Sequence, residues 1–400
     1  MFNTRIDQLT DYPFQRLREL LADVDSGRDP LMLQLGEPQH PFPSVLTEGL
    51  MQNPAGFNKY PPADGTPGLR DAIAGWLNGR YGLTGADQMD PDRHVMPLNG
   101  TREGLFTLAQ LVVPTPERPG DNQKPLVLAP NPFYQCYRGA AIMAGAEMKL
   151  LSATAENGFM PDLDAVTPAE WDRTALFYLC SPANPQGAVA SAEYLAKALQ
   201  RARQHDFVLA ADECYAEIYN GDAPIGGLQV ARDLGAGLDH LVVFHSLSKR
   251  SSAPGLRSGF VAGDPDIIAR YRKIRAYGGA PMPLPICDAA EALWRDNQHA
   301  SDNRALYQQK FRLAEEILGH LPGYQTPAGG FFLWLNVGDS EVVTRRLWAE
   351  QGVRVLPGKY LARPDNQGNN PGAAFIRVAL VGELDQTAEA LHRLARVLED

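Results

Sequence analysis

The stretch HSLSKRSSAPGLRSGF, His245–Phe260, places one lysine, two arginines and five serines directly behind the apolar run LVVF, Leu241–Phe244. Such a run is too short for a helix, and its β-branched and aromatic residues read as a buried strand. A lysine delivered by the end of a buried strand suits imine-forming catalysis, which needs an amine held near neutrality and close to its electrophile. Alone, a lysine at a strand end is more often a solvated charge. Its neighbours Ser246, Ser248 and Arg257 add hydroxyls and a planar guanidinium, groups that hold a phosphate.

LVLA (Leu126–Ala129), ALFYLC (Ala175–Cys180), FVLAA (Phe207–Ala211) and GFVAG (Gly259–Gly263) read as further short buried strands, separated by longer amphipathic segments. This alternation predicts an α/β protein with a mostly parallel central sheet. Where the strands stop, the chain turns polar, in PNPFYQCY, SPANPQG, DECYAEIY and HSLSKR. Ligands of open α/β sheets bind at the carboxyl ends of the strands. One cleft is therefore expected to gather Tyr134, Asn184, Asp212, Tyr215 and Lys249.

Each of these residues also has an ordinary structural reading. Asp212, ending a buried strand, needs a partner, because an isolated buried charge is unfavourable; a salt bridge or a helix cap would serve, and so would a cationic ring nitrogen. LNGTREGLFTLAQLV sets Gly100, Thr101 and Arg102 at a helix start, where free N–H groups and the helix dipole attract an anion, or where a simple cap suffices. An Asn-Pro turn and a half-buried tyrosine are usually structural. Taken together, a phosphate grip, a reactive lysine and a carboxylate for a ring nitrogen match the needs of pyridoxal phosphate, whose ring acts as an electron sink.

The 400 residues, 44% of them hydrophobic, bury a large core and are enough for two or three domains. A net charge of -10 argues against nucleic-acid binding, which rests on cations that neutralise phosphates. Cys136, Cys180, Cys214 and Cys287 form no CxxC pair, so reduced thiols and no metal site are expected. The N-terminus lacks the pattern of a secretory signal, and no apolar stretch approaches the length of a membrane span. A cytoplasmic enzyme is the expectation. Beyond about Tyr277, helical segments alternate with GGFFLWLNV, VRVLPG and AFIRVAL, the reading of an α+β module. The expected division is a segment 1–45 joining the small domain, a large domain 46–280 and a small C-terminal domain 281–400. RPDNQGNNPG, Arg363–Gly372, reads as a surface loop.

In this order, NGT, PNPFYQCY, NPQG, DECY, SLSK and GLRSG resemble the fold-type I pyridoxal-phosphate aminotransferases of the aspartate aminotransferase superfamily, over almost the whole chain. Arg257 follows Lys249 by eight residues, the spacing of that family. The resemblance implies that Lys249 forms the imine with the cofactor and later moves the proton between the substrate Cα and the cofactor C4′. Asp212 would keep the ring nitrogen protonated, Asn184 and Tyr215 would hold the phenolate oxygen, and Tyr134 would stack on the ring. Gly100, Thr101, Arg102, Ser246, Ser248 and Arg257 would grip the phosphate. Tyr60, in NKYPPADGTPGLR, resembles a tyrosine that reaches the phosphate of a neighbouring subunit, which implies a homodimer. Arg377 in AFIRVAL matches the arginine that holds the substrate α-carboxylate, with Gly36 of LGEP beside it. The family often has proline after the stacking tyrosine; here Gln135 follows, which leaves Phe133 and Tyr137 as alternative stacking rings.

Within the family, the opening MFNTRIDQLTDYPFQRLRELLA and HSLSKRSSAPGLRSGFVAGD resemble proteobacterial succinyldiaminopimelate transaminases of lysine biosynthesis. The implied substrates are N-succinyl-LL-2,6-diaminopimelate with 2-oxoglutarate, glutamate being a product. Such a substrate calls for a second clamp on its distal end, with Arg5, Arg16, Arg275 and Arg354 as candidates. Competing readings are an aminotransferase for aspartate, aromatic or unacylated substrates, a β-lyase, and a non-catalytic ligand sensor on a degenerate aminotransferase fold.

Overall fold

Seven strands form the central sheet of the computed structural model, which describes residues 2–10, 12–115, 123–235 and 237–399. Their order across the sheet is Val95–Leu98, Gly259–Gly263, Leu241–Ser246, Val208–Asp212, Thr174–Cys180, Leu126–Asn131 and Glu147–Ser152. Gly259–Gly263 is antiparallel to both its neighbours, and every other pairing is parallel. The residues between Ser246 and Gly259 are taken up by a one-turn helix, Leu247–Arg250, and a 3-10 turn, Pro254–Leu256. Without a crossover helix the chain re-enters the sheet beside the strand it left, which forces the antiparallel return.

All five strands expected from the sequence are present. Two were not expected, and both are edges. Val95–Leu98 carries Pro97, which a sheet tolerates at its rim; Glu147–Ser152 is only partly buried and reads as polar. The inner strands feed two cores by simple alternation. Leu126, Leu128, Leu241 and Val243 enter one core, whereas Val127, Ala129, Val242 and Phe244 enter the other. Helix Leu284–Arg295 belongs to the first core through Cys287, Ala290, Leu293 and Trp294. It therefore stays with the large sheet, although the expected boundary lay before it at residue 280.

A second body follows. Leu356–Pro357, Phe375–Ala379 and Phe332–Asn336 form an antiparallel sheet in that order, and Leu31–Met32 pairs in parallel with Val353–Arg354. VRVLPG thus serves two sheets rather than one strand. Leu33, Phe311, Leu333, Leu347, Ile376, Leu391 and Leu394 share its core, so the N-terminal segment is built into the C-terminal module. Residues 364–369 of the Asn- and Gly-rich loop are exposed. Among the described residues no helix is long and apolar enough to cross a membrane.

Candidate active site

The strands Val208–Asp212 and Leu241–Ser246 lie side by side in parallel and end in a cavity of about 500 Å³. Its wall includes Gly36, Thr101, Arg102, Tyr134, Asn184, Asp212, Tyr215, Ser246, Ser248, Lys249, Arg257 and Arg377. Twelve of the fourteen residues singled out from the sequence thus converge there. Gly100 sits immediately behind the wall, and Tyr60 stands apart, fully exposed.

Lys249 is carried by the one-turn helix Leu247–Arg250, whose N-cap Ser246 accepts a hydrogen bond from Ser248 N at 3.1 Å. Its Nζ donates to the Gly36 carbonyl at 2.6 Å. Loss of water around the amine is the main cause that pulls its pKa down to about 8, with Arg377 and Arg257 adding repulsion and Cys214 opposing. The flanking residues are structural. Arg250 is buried and donates to Leu293 O and Asn297 Oδ1, while Ser252 Oγ donates to His40 O at 2.7 Å.

Helix Thr101–Val112 begins at the cavity, with Gly100 as N-cap at φ 84°. Any side chain here would be strained, and a Cβ would meet Arg257 Nη2 at 2.0 Å. The missing Cβ thus lets the guanidinium lie against the helix start. Arg257 donates to Pro254 O at 2.8 Å and Asn99 O at 3.4 Å, both neutral carbonyls. A guanidinium, two hydroxyls and a helix N-terminus facing one space form a cradle suited to a phosphate.

Asp212, the last residue of its strand, is 5% exposed. The Tyr137 hydroxyl donates to its Oδ2 at 2.6 Å and Cys214 N to its Oδ1 at 3.3 Å. Burial outweighs these bonds and raises its pKa above the ordinary carboxyl value. No cation pairs with it among the described residues, so the site fits a protonated ring nitrogen. Arg377 is the converse case. Buried in Phe375–Ala379, it donates to Asn184 Oδ1 at 3.0 Å and Gln34 O at 2.9 Å, and lies 4.2 Å over the Phe332 ring. Burial pulls the guanidinium down to about 10, Nε has no partner, and no carboxylate pairs with it among the described residues. It is suited to take up a carboxylate.

Of the three rings in PNPFYQCY, Tyr137 is excluded as the stacking residue, because it is fully buried against Tyr178 at 4.5 Å and spends its hydroxyl on Asp212. Phe133 and Tyr134 both line the cavity, and the Tyr134 hydroxyl accepts from Arg102 Nε at 2.5 Å. Gln135 is the first residue of helix Gln135–Ala144, a position equally open to proline, so this departure leaves Tyr134 in place. The four arginines proposed for the distal clamp are absent from the wall. Arg5 donates to Met143 O, Arg16 covers the Tyr360 ring, Arg275 pairs with Glu103 and Arg354 covers Trp348. Sequence reading missed Tyr12, Phe14 and Glu37 in the wall and Tyr137 under Asp212.

A family model described as aminotransferase class I and II matches residues 29–394. Among solved structures, an aminotransferase from Neisseria meningitidis Z2491 is similar at 39% identity and a TM-score of 0.93, covering 99% of both chains. An LL-diaminopimelate aminotransferase of Maridesulfovibrio salexigens is 29% identical, with 98% of each chain covered. A 4-dedimethylamino-4-oxo-anhydrotetracycline transaminase of Streptomyces rimosus is 31% identical, covering 97% of this chain and 99% of its own. Two relatives at nearly equal identity act on unlike substrates by name, so identity at this level does not choose a substrate.

Proposed function

The chain belongs to the class I and II aminotransferases, which use pyridoxal phosphate to move amino groups between amino acids and 2-oxo acids, and from that premise we propose that its amino donor is N-succinyl-LL-2,6-diaminopimelate and its acceptor 2-oxoglutarate. The observation that carries the aminotransferase chemistry, as distinct from the substrate, is the convergence of Lys249, Asp212, Asn184, Tyr215, Arg257 and Arg377 on one cavity. When bound, the cofactor supplies an aldehyde for the amino group and a ring that takes up electrons from the substrate Cα. Lys249 would hold it and, as a free amine, would carry the proton away from the substrate Cα. Asp212 keeps the ring nitrogen protonated, with Tyr137 fixing the carboxylate. Asn184 gives its Oδ1 to Arg377, which leaves its NH₂ free to donate, with the Tyr215 hydroxyl, to the phenolate oxygen. Tyr134, its hydroxyl anchored by Arg102, would cover the ring face.

The backbone of Gly100, Thr101 and Arg102, with Ser246, Ser248 and Arg257, holds the phosphate. Arg377 takes the substrate α-carboxylate beside Gly36. Tyr60, exposed on one protomer, is assigned to the phosphate of the partner in a homodimer.

The substrate choice rests on the two sequence stretches that resemble succinyldiaminopimelate transaminases, and on the cavity wall. Free diaminopimelate carries a distal ammonium that needs an acidic partner. Besides Asp212, the wall offers only Glu37 among the described residues, whereas Tyr12, Phe14, Leu35, Leu356 and Leu361 make an apolar lining suited to the methylenes of an acyl arm, whose terminal carboxylate is met by none of Arg5, Arg16, Arg275 and Arg354. The relatives named for LL-diaminopimelate favour the unacylated diacid as a second reading. A donor panel with 2-oxoglutarate separates the two. The succinylated diacid is expected to have the highest kcat/KM, by about tenfold or more over free LL-diaminopimelate, aspartate and phenylalanine; the reverse order for any of these removes the assignment.

The lowered pKa of Lys249 has a kinetic consequence. Only the neutral amine attacks an aldehyde, and a depressed value means that the proton leaves at lower pH than in water. Capture of pyridoxal phosphate by cofactor-free protein, followed by absorbance, is expected to accelerate with pH through a midpoint near 8. A midpoint near 10.5 would contradict the placement of this amine.

A further inference from the structure

Lys310, His40 and Asn303 form a line of buried polar groups that the chemistry above does not use. Lys310 is 2% exposed, and its Nζ lies 2.6 Å from His40 Nε2 and 3.2 Å from Leu380 O. His40 Nδ1 lies 2.7 Å from Asn303 Oδ1. Asn303 Nδ2 donates to the carbonyls of Lys249 and Arg250, both at 3.1 Å. The two ends fix the polarity of the line, because an ammonium only donates and a carbonyl only accepts. His40 therefore accepts at Nε2 and carries its proton on Nδ1, and Asn303 turns its oxygen to His40 and its NH₂ to the carbonyls. Every polar group in the line is satisfied by this one assignment, as a buried network requires.

The places it joins are functional ones. The two carbonyls close the helix Leu247–Arg250, which at a single turn is too short to satisfy them itself. Leu380 directly follows Phe375–Ala379, the strand that carries Arg377. His40 lies four residues beyond Gly36, which accepts from Lys249 Nζ, and its carbonyl accepts from Ser252. Resting on the roles given above to Lys249 and Arg377, we propose that Lys310, His40 and Asn303 are positioning residues that act as one buried strut, setting the catalytic lysine in register with the strand that grips the substrate carboxylate.

The holoenzyme variants Asn303→Ala, Lys310→Met and their double mutant test it through kcat, KM and the pH midpoint of the bound cofactor's visible absorbance. Each single change is expected to lower kcat by roughly tenfold with KM moving less than about threefold, since a small displacement of a reacting group acts on the chemical step. Each should also move the absorbance midpoint. The double mutant should lose no more than the worse single one, because both break the same line. Losses that multiply, or an unchanged kcat and midpoint in Asn303→Ala, overturn the strut. If Lys310→Met does not fold, Asn303→Asp decides, since it keeps the size and the acceptor for His40 but removes both donors; wild-type kcat there is again an overturning result. Failure of the underlying assignment looks different, as turnover that survives Lys249→Ala.

Discussion

Lys249→Ala is expected to abolish transamination, with kcat reduced by about 10⁴-fold or more, while the protein stays folded. In the proposed assignment the residue would hold the cofactor and move the proton at Cα, and general acid–base catalysis alone contributes roughly 10²–10⁴-fold. No other lysine lines the cavity among the described residues, and Lys310 is engaged by His40 and Leu380 O. Nothing nearby can replace the lost amine. The fold should tolerate the change, because the side chain it removes has a pKa depressed by burial and makes one hydrogen bond, to Gly36 O. The measurement is steady-state turnover together with the visible spectrum after dialysis. The wild type should keep its cofactor band and the variant should lose it; residual activity within tenfold of wild type would remove Lys249 from the centre of the mechanism.

How much of this was legible in the sequence depends on the kind of signal involved. Apolar runs that stop abruptly mark the ends of inner strands, so the order of residues alone puts Asp212, Ser246 and Lys249 at the sheet's carboxyl edge. Edge strands send the opposite signal: Pro97 in one and the polar surface of the other hide Val95–Leu98 and Glu147–Ser152 from a search for buried runs. Side chains that close the cavity from distant segments leave no local trace. Tyr12 and Phe14 lie in an N-terminal stretch that carried no motif of its own, yet they line the cavity. The arginines Arg5, Arg16, Arg275 and Arg354 lie outside the cavity wall; the first three are engaged by partners far away in sequence, and Arg354 covers Trp348, six residues before it. His40 and Asn303 are the extreme case, two ordinary polar residues whose meaning lies in a line of hydrogen bonds to Lys249.

Arg377→Met is expected to separate function from stability. Losing the carboxylate grip should lower kcat/KM for every amino donor by about 10² to 10³-fold, within the roughly 2–5 kcal/mol typical of truncating one partner of a buried charge pair. In the free protein the same guanidinium is a liability. Its pKa in the fold is about 10, below its value in water, so the folded chain holds the proton less tightly than the unfolded chain does and its charge opposes folding at every pH below about 10. A methionine removes that penalty and still packs toward Phe332, and Asn184, facing the cavity, regains water, which offsets the donor lost to Gln34 O. Without ligand, the variant should therefore melt no lower than wild type. A saturating dicarboxylate such as glutarate should invert the ranking. At a hundred times its wild-type Kd it would stabilise the wild type by about 2.7 kcal/mol and leave the variant unmoved. Calorimetry of both proteins with and without glutarate reads the two effects. A variant that melts well below wild type without ligand, or gains as much from glutarate, would mean that Arg377 holds the fold rather than the substrate.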